Sequence, residues 1–239
     1  MQDMQIQIDF NDNNYRSDSI PNGRIIKRFF RELSTKVFNN SNEYYQKYLE
    51  FTGDHENPLL YGERNLYSLF SSAIHEISPI HISEWSFNNS DVACNLNRNR
   101  VVDLYCMYKN KKLSNPINFY IELKKGWYSL NSNSNISLDK RVVASFSGLT
   151  KQLRSLKQIK PQWNDFDDVY IGLFVIHGYY LDNKEYYSIK DLYYVLHDVL
   201  DKRTIKNYLI STWQLEKDMF TQWGKDKCRF ISILGIPLQ

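Results

Sequence analysis

Between residues 81 and 128 the spacing of apolar residues turns from helical to alternating and stays alternating through three successive segments. His81–Phe87, Arg100–Lys109 (RVVDLYCMYK) and Ile117–Tyr128 (INFYIELKKGWY) each read as a strand, because side chains along a strand point to opposite faces in turn. The Asn, Lys, Ser and Pro of Asn110–Pro116 supply turn chemistry between the last two. Three strands in succession favour an antiparallel meander, so the middle of the chain must be a sheet.

The flanks read as helices and further strands. The run GRIIKRFFRELSTKVF from Gly23 sets Ile25, Ile26, Phe29, Phe30 and Leu33 on one stripe, with Arg24, Lys27, Arg28 and Arg31 towards the other side. A second helix is expected over Ser41–Phe51. A third covers Gly62–Ile77 and is stopped by Pro79. Beyond the Ser/Asn linker Ser129–Ser137 a long helix is expected over Leu138–Ile159. An almost continuous apolar strand then follows at Val169–Tyr179. A helix at Ser188–Leu200, a strand at Cys228–Ile236 and an edge strand at Met4–Phe10 complete the reading. The fold class is α/β: a mixed central β-sheet flanked by helices, with a three-strand antiparallel meander plus parallel strands joined by crossovers.

Composition narrows the function. With 42% hydrophobic residues the 239-residue chain can bury a core. Its apolar runs are too short to span a bilayer, and its acidic, polar start is unlike a signal peptide, so no membrane partner is expected. Cys94, Cys106 and Cys228 fit neither a zinc spacing nor a disulfide framework; reduced thiols and a cytoplasmic location are the expectation. No P-loop, no GxGxxG and no nucleophile motif occurs, and the five histidines lack ligand spacing. Asp165, Asp167 and Asp168 read as a helix-to-strand loop rather than a calcium site. The net charge of +3 is unevenly spread: residues 23–160 hold 20 bases and 12 acids, between acidic ends. A basic middle suits a polyanionic partner.

Two acids interrupt the apolar strands, Asp103 in Val101–Cys106 and Glu122 in Phe119–Lys124. Such charges are costly to desolvate without compensation. A hairpin turn centred between Lys112 and Leu113 places Asp103 opposite Glu122, where like charges repel and a cation is the natural remedy. Lys124 shares the face of Glu122 by alternation. Converging carboxylates suit Mg²⁺, with Mn²⁺ as a substitute, and such an ion lowers the pKa of bound water and neutralises a phosphate. A neighbouring lysine can orient or deprotonate the attacking water.

Asp103 followed by Glu122-Leu123-Lys124 on adjacent strands resembles the PD-(D/E)xK, or restriction-endonuclease-like, nuclease superfamily. The likeness covers about residues 60–178, with Val102 standing where the family name has proline. It implies Asp103, Glu122 and the Leu123 carbonyl as metal ligands, and Asp103, Glu122, Lys124 and Glu63 as catalytic residues. Gln152 would match a glutamine on the following helix, and Glu84 is a further candidate acid. Residues 1–60 would then be an N-terminal helical elaboration, 61–180 the nuclease-like core, and 181–239 a helix and strand completing the same domain. The expected activity is Mg²⁺-dependent hydrolysis of DNA phosphodiesters, of a restriction or genome-defence type, on double-stranded DNA. A homodimer would supply the two sites that double-strand cutting needs. Lys125, Lys140, Arg141, Lys151, Gln152 and Arg154 are the expected nucleic-acid contacts, since neutralised phosphates dominate such affinity. The alternatives are a catalytically silent nuclease-like fold acting as a nucleic-acid-binding or protein-interaction module, and a structural protein with no nucleic-acid role.

Overall fold

The alternating segments of the middle form the expected meander in a computed structural model of the chain. It describes residues 6–10, 20–88, 99–111, 113–129, 140–159, 165–181, 196–197, 200, 207–220 and 226–238. Strands β2 (His81–Asn88), β3 (Asn99–Tyr108) and β4 (Ile117–Ser129) pair antiparallel in chain order. Helix α3 (Lys140–Ile159) then carries the chain to β5 (Asp168–Leu181), which lies parallel to β4. With β1 (Ile6–Phe10), β6 (Leu209–Phe220) and β7 (Asp226–Pro237), the sheet has seven strands in the order β1-β6-β7-β5-β4-β3-β2.

Three expectations need correction. The C-terminal strands do not extend a parallel sheet, because β7 runs antiparallel to both β5 and β6; β4 and β5 form the single parallel pair among the described strands. Strand β6 was not anticipated: the charged Glu216-Lys217-Asp218 hides its second half, where its register with β7 is also irregular. The two helices expected over residues 23–51 are one, α1 (Gly23–Thr52). Its buried stripe runs on through Ser34 and Ser41 into Tyr45, and no glycine or proline intervenes before Gly53, which caps the helix at φ 76°. The helix expected over Ser188–Leu200 falls largely outside the described residues.

Helices cover both sheet faces. Helices α1 and α2 (Glu63–Ile77) pack on one side, where Phe29, Phe70, Phe119, Leu123 and Leu173 share a core. Helix α3 covers the other through Leu149, Leu153 and Leu156, against Tyr105, Tyr120 and Tyr170. Two glycines permit this closeness: a Cβ on Gly172 would run into Leu149 of α3, and one on Gly235 would lie 2.7 Å from the Phe30 ring of α1. Residues 1–60 are therefore more than an elaboration, since α1 sits over the middle of the sheet and β1 forms one of its edges.

Candidate active site

The hairpin register is the one the turn predicts. Leu104 pairs Ile121, and Tyr105, Cys106, Met107 and Tyr108 pair Tyr120, Phe119, Asn118 and Ile117. One step further, where Asp103 would meet Glu122, the ladder ends. The pairing of β3 with β2 also skips Asp103: Ser83 pairs Leu104 and Trp85 pairs Val102, while Glu84 between them takes φ 50°. A positive φ is uncommon outside glycine and marks a local kink. Released from both ladders, the Asp103 carboxylate accepts the Leu123 N–H at 2.7 Å on Oδ2 and the Tyr67 hydroxyl at 3.1 Å on Oδ1.

Lys124 completes the group. Its Nζ lies 3.9 Å from Asp103 Oδ2 and 3.4 Å from Glu63 Oε1, and it donates to the Leu123 carbonyl at 3.1 Å. Glu63 opens α2 behind Gly62, a position that favours an acid at the positive end of the helix dipole. The side chains of Asp103, Lys124 and Glu63 are 13%, 19% and 39% exposed, so the group opens to solvent on the Glu63 side. Glu122 is 2% exposed and shares the face of Lys124 by alternation along the regular β4–β5 ladder.

Tyr67 had no signal in the sequence beyond lying on α2, yet its hydroxyl reaches Asp103. Burial first, then the charges of Asp103, Glu63 and Glu122, drive its hydroxyl well above the usual phenol range. It therefore stays protonated and donates to Asp103. The Leu123 carbonyl, expected to face an ion, takes the Lys124 amine instead. Among the described residues no three His, Cys, Asp or Glu side chains form a ready-made metal cage.

The expected nucleic-acid contacts divide. Lys151 and Arg154 are exposed on α3. Gln152 is half-buried, and its Oε1 is enclosed without a hydrogen-bond partner among the described residues, so it is not presented outward. The side chains of Lys140 and Arg141 lie outside the described residues. Lys125 turns inward: its amine donates to the Leu60 and Tyr61 carbonyls and sits 4.9 Å above the Trp127 ring, and burial pulls its pKa down to about 8. Glu84 is exposed. The acidic loop is structural in its contacts, Asp167 accepting from Asn22 and Asp168 from Asn118. Cys106 and Cys228 are buried free thiols, as expected; Cys94 lies outside the described residues.

His177 also faces inward. Its Nε2 lies 2.5 Å from the Leu59 carbonyl and its Nδ1 3.2 Å from that of Gly126, and the shorter contact assigns the single N–H to Nε2. Complete burial, reinforced by Lys125, lowers its pKa to about 3. Between that value and the ordinary 6.5 of an unfolded histidine, the unfolded chain binds a proton that the folded chain refuses. Stability is therefore expected to be full above about pH 6.5 and to fall progressively towards pH 3. Urea midpoints measured across that range check this, with His177→Gln expected to flatten the slope; an identical slope in the variant removes His177 as its source.

No protein-family model, curated protein or solved structure matches the chain. No described helix is long and apolar enough to cross a membrane.

Proposed function

We propose that the protein is a metal-dependent nuclease that hydrolyses DNA phosphodiester bonds. The observation that carries this reading is the group at the kink of β3: Lys124 between Asp103 and Glu63, with Glu122 on the same face of β4 and Tyr67 bonded to Asp103. The donor chemistry fits a hard divalent ion, because carboxylate and carbonyl oxygens are what Mg²⁺ takes, and it keeps several waters rather than filling a protein cage. Asp103 and Glu122 would hold it, and when bound it would activate water and offset phosphate charge. The chain's own part is positional. The Leu123 N–H and the Tyr67 hydroxyl fix the Asp103 carboxylate, leaving its remaining lone pairs for a ligand. Lys124 is close enough to both acids to stay at the reacting centre, where an amine can orient water or stabilise a phosphorane. Exposed Lys151 and Arg154 offer phosphate contacts on the face that α3 covers.

The deciding experiment is incubation with supercoiled plasmid and Mg²⁺, with Mn²⁺ and EDTA arms, followed by sequencing of the product ends. Nicking or linearisation that EDTA abolishes is expected. Salt-sensitive DNA binding without turnover in any metal would instead favour the silent binding module.

A further inference from the structure

The segment between α1 and α2 is held by side chains from three different elements. Asn57 Oδ1 accepts both the Ser41 hydroxyl of α1, at 2.7 Å, and the Leu59 N–H, which starts the 3₁₀ turn Pro58–Leu60. The next three carbonyls are taken in succession from the sheet: Leu59 by His177 of β5, then Leu60 and Tyr61 by Lys125 of β4. Lys125 and His177 stand on paired strands, and Trp127, which pairs His177 across the ladder, packs against both. Two residues after Tyr61 comes Glu63, whose carboxylate must reach across to Lys124.

A half-buried amine spent on backbone carbonyls is an expensive way to close a loop. Its placement explains it. Lys124 and Lys125 are neighbours on β4, and alternation sends them to opposite faces. One meets the acids while the other grips the chain that leads to one of those acids. The separation between Glu63 and the Asp103–Lys124 pair is thereby fixed through a few bonds of β4 rather than through the length of α2.

We propose that Lys125 is a positioning residue: with His177 it clamps the Leu59–Tyr61 carbonyls, and so sets the N-terminus of α2 and the Glu63 carboxylate against Asp103 and Lys124. The assignment of a task to Glu63 rests on the nuclease reading; the clamp itself does not.

The test uses the full chain, with Lys125→Met removing the donors, Lys125→Arg restoring donors, and Glu63→Gln alone and combined with Lys125→Met. Amide hydrogen exchange at Arg64–Leu66 reads the clamp directly, and Mn²⁺ affinity and plasmid cleavage read the site. In Lys125→Met, exchange there is expected to quicken at least tenfold relative to the C-terminal half of α2. Cleavage should fall at least tenfold through kcat with KM little moved, and Lys125→Arg should recover most of both. On the Glu63→Gln background the Lys125→Met effect on Mn²⁺ affinity and cleavage should nearly vanish, which a general loss of stability would not produce. Unchanged exchange at Arg64–Leu66, or losses that multiply in full with those of Glu63→Gln, would overturn the proposal. A wild-type protein with neither Mn²⁺ affinity nor cleavage would overturn the nuclease reading instead, and the exchange comparison would still decide the clamp.

Discussion

On the proposed nuclease reading, Asp103→Asn is expected to lower metal-dependent DNA cleavage by about a thousandfold or more while leaving the fold intact. The magnitude follows from charge: a divalent ion's stabilisation of the transition state is worth several kcal/mol, and each 1.4 kcal/mol is about tenfold in rate. The fold should survive because the amide keeps an oxygen that can accept the Leu123 N–H, and its NH₂ can donate to the Tyr67 oxygen in a reversed bond. Lys124 would lose one of its two acidic neighbours and keep Glu63. Single-turnover cleavage at fixed Mg²⁺, beside a denaturation curve of the same preparation, separates the two effects. Activity within about threefold of wild type would remove Asp103 from the site; a collapsed melting curve would make the result a matter of folding. Tyr67→Phe should cost much less, since it removes one of two bonds to the carboxylate and no charge.

Phe29→Ala should give the largest loss of stability. The ring is fully buried on α1, stacked on Phe119 of β4 at 3.9 Å and edge-on to Tyr108 of β3 at 5.3 Å, so it pins the helix over the meander. Truncating such a residue costs about 3–5 kcal/mol, from lost transfer energy and an uncollapsed cavity. For a domain of this size that is roughly 6–20 °C in Tm. Phe51, near the end of the same helix and 82% exposed, is the internal control; its truncation should stay within about 0.5 kcal/mol. Urea unfolding with an unchanged m-value would confirm that the native state is what changed. A loss below about 1 kcal/mol for Phe29→Ala would mean that α1 is not pinned there.

What the sequence could reveal was set by how local the signal is. The β3–β4 register was legible because alternation and a short turn decide it within thirty residues. That register brought Asp103 to the neighbourhood of Glu122 and Lys124, although the ladder itself stops at Leu104 and Ile121. The kink that frees Asp103 from both ladders was not legible, because it depends on the backbone of Glu84, a residue with no obvious preference for positive φ. Tyr67 and Lys125 were missed or misread for a common reason. Each acts on a partner that only tertiary packing brings near, 36 and 64 or 65 residues away along the chain. Lys125 reads as a surface base beside Lys124, and nothing in the local pattern says that the segment at 59–61 will bury it. In α1 the error ran the other way: a second helix was expected to start at Ser41, yet Ser41, like Ser34, is small enough to be buried along one continuous stripe.

The strand order has a consequence for how the molecule is made. Strand β1 closes one end of the sheet by pairing with β6, so its partner is synthesised some two hundred residues later. A nascent chain can assemble the β2–β4 hairpins while still on the ribosome, but that margin must wait for β6 to emerge. Contacts so distant along the chain make for slow closure. In the interval β5 also lacks β7, leaving its apolar edge open to wrong partners until β7 has been made.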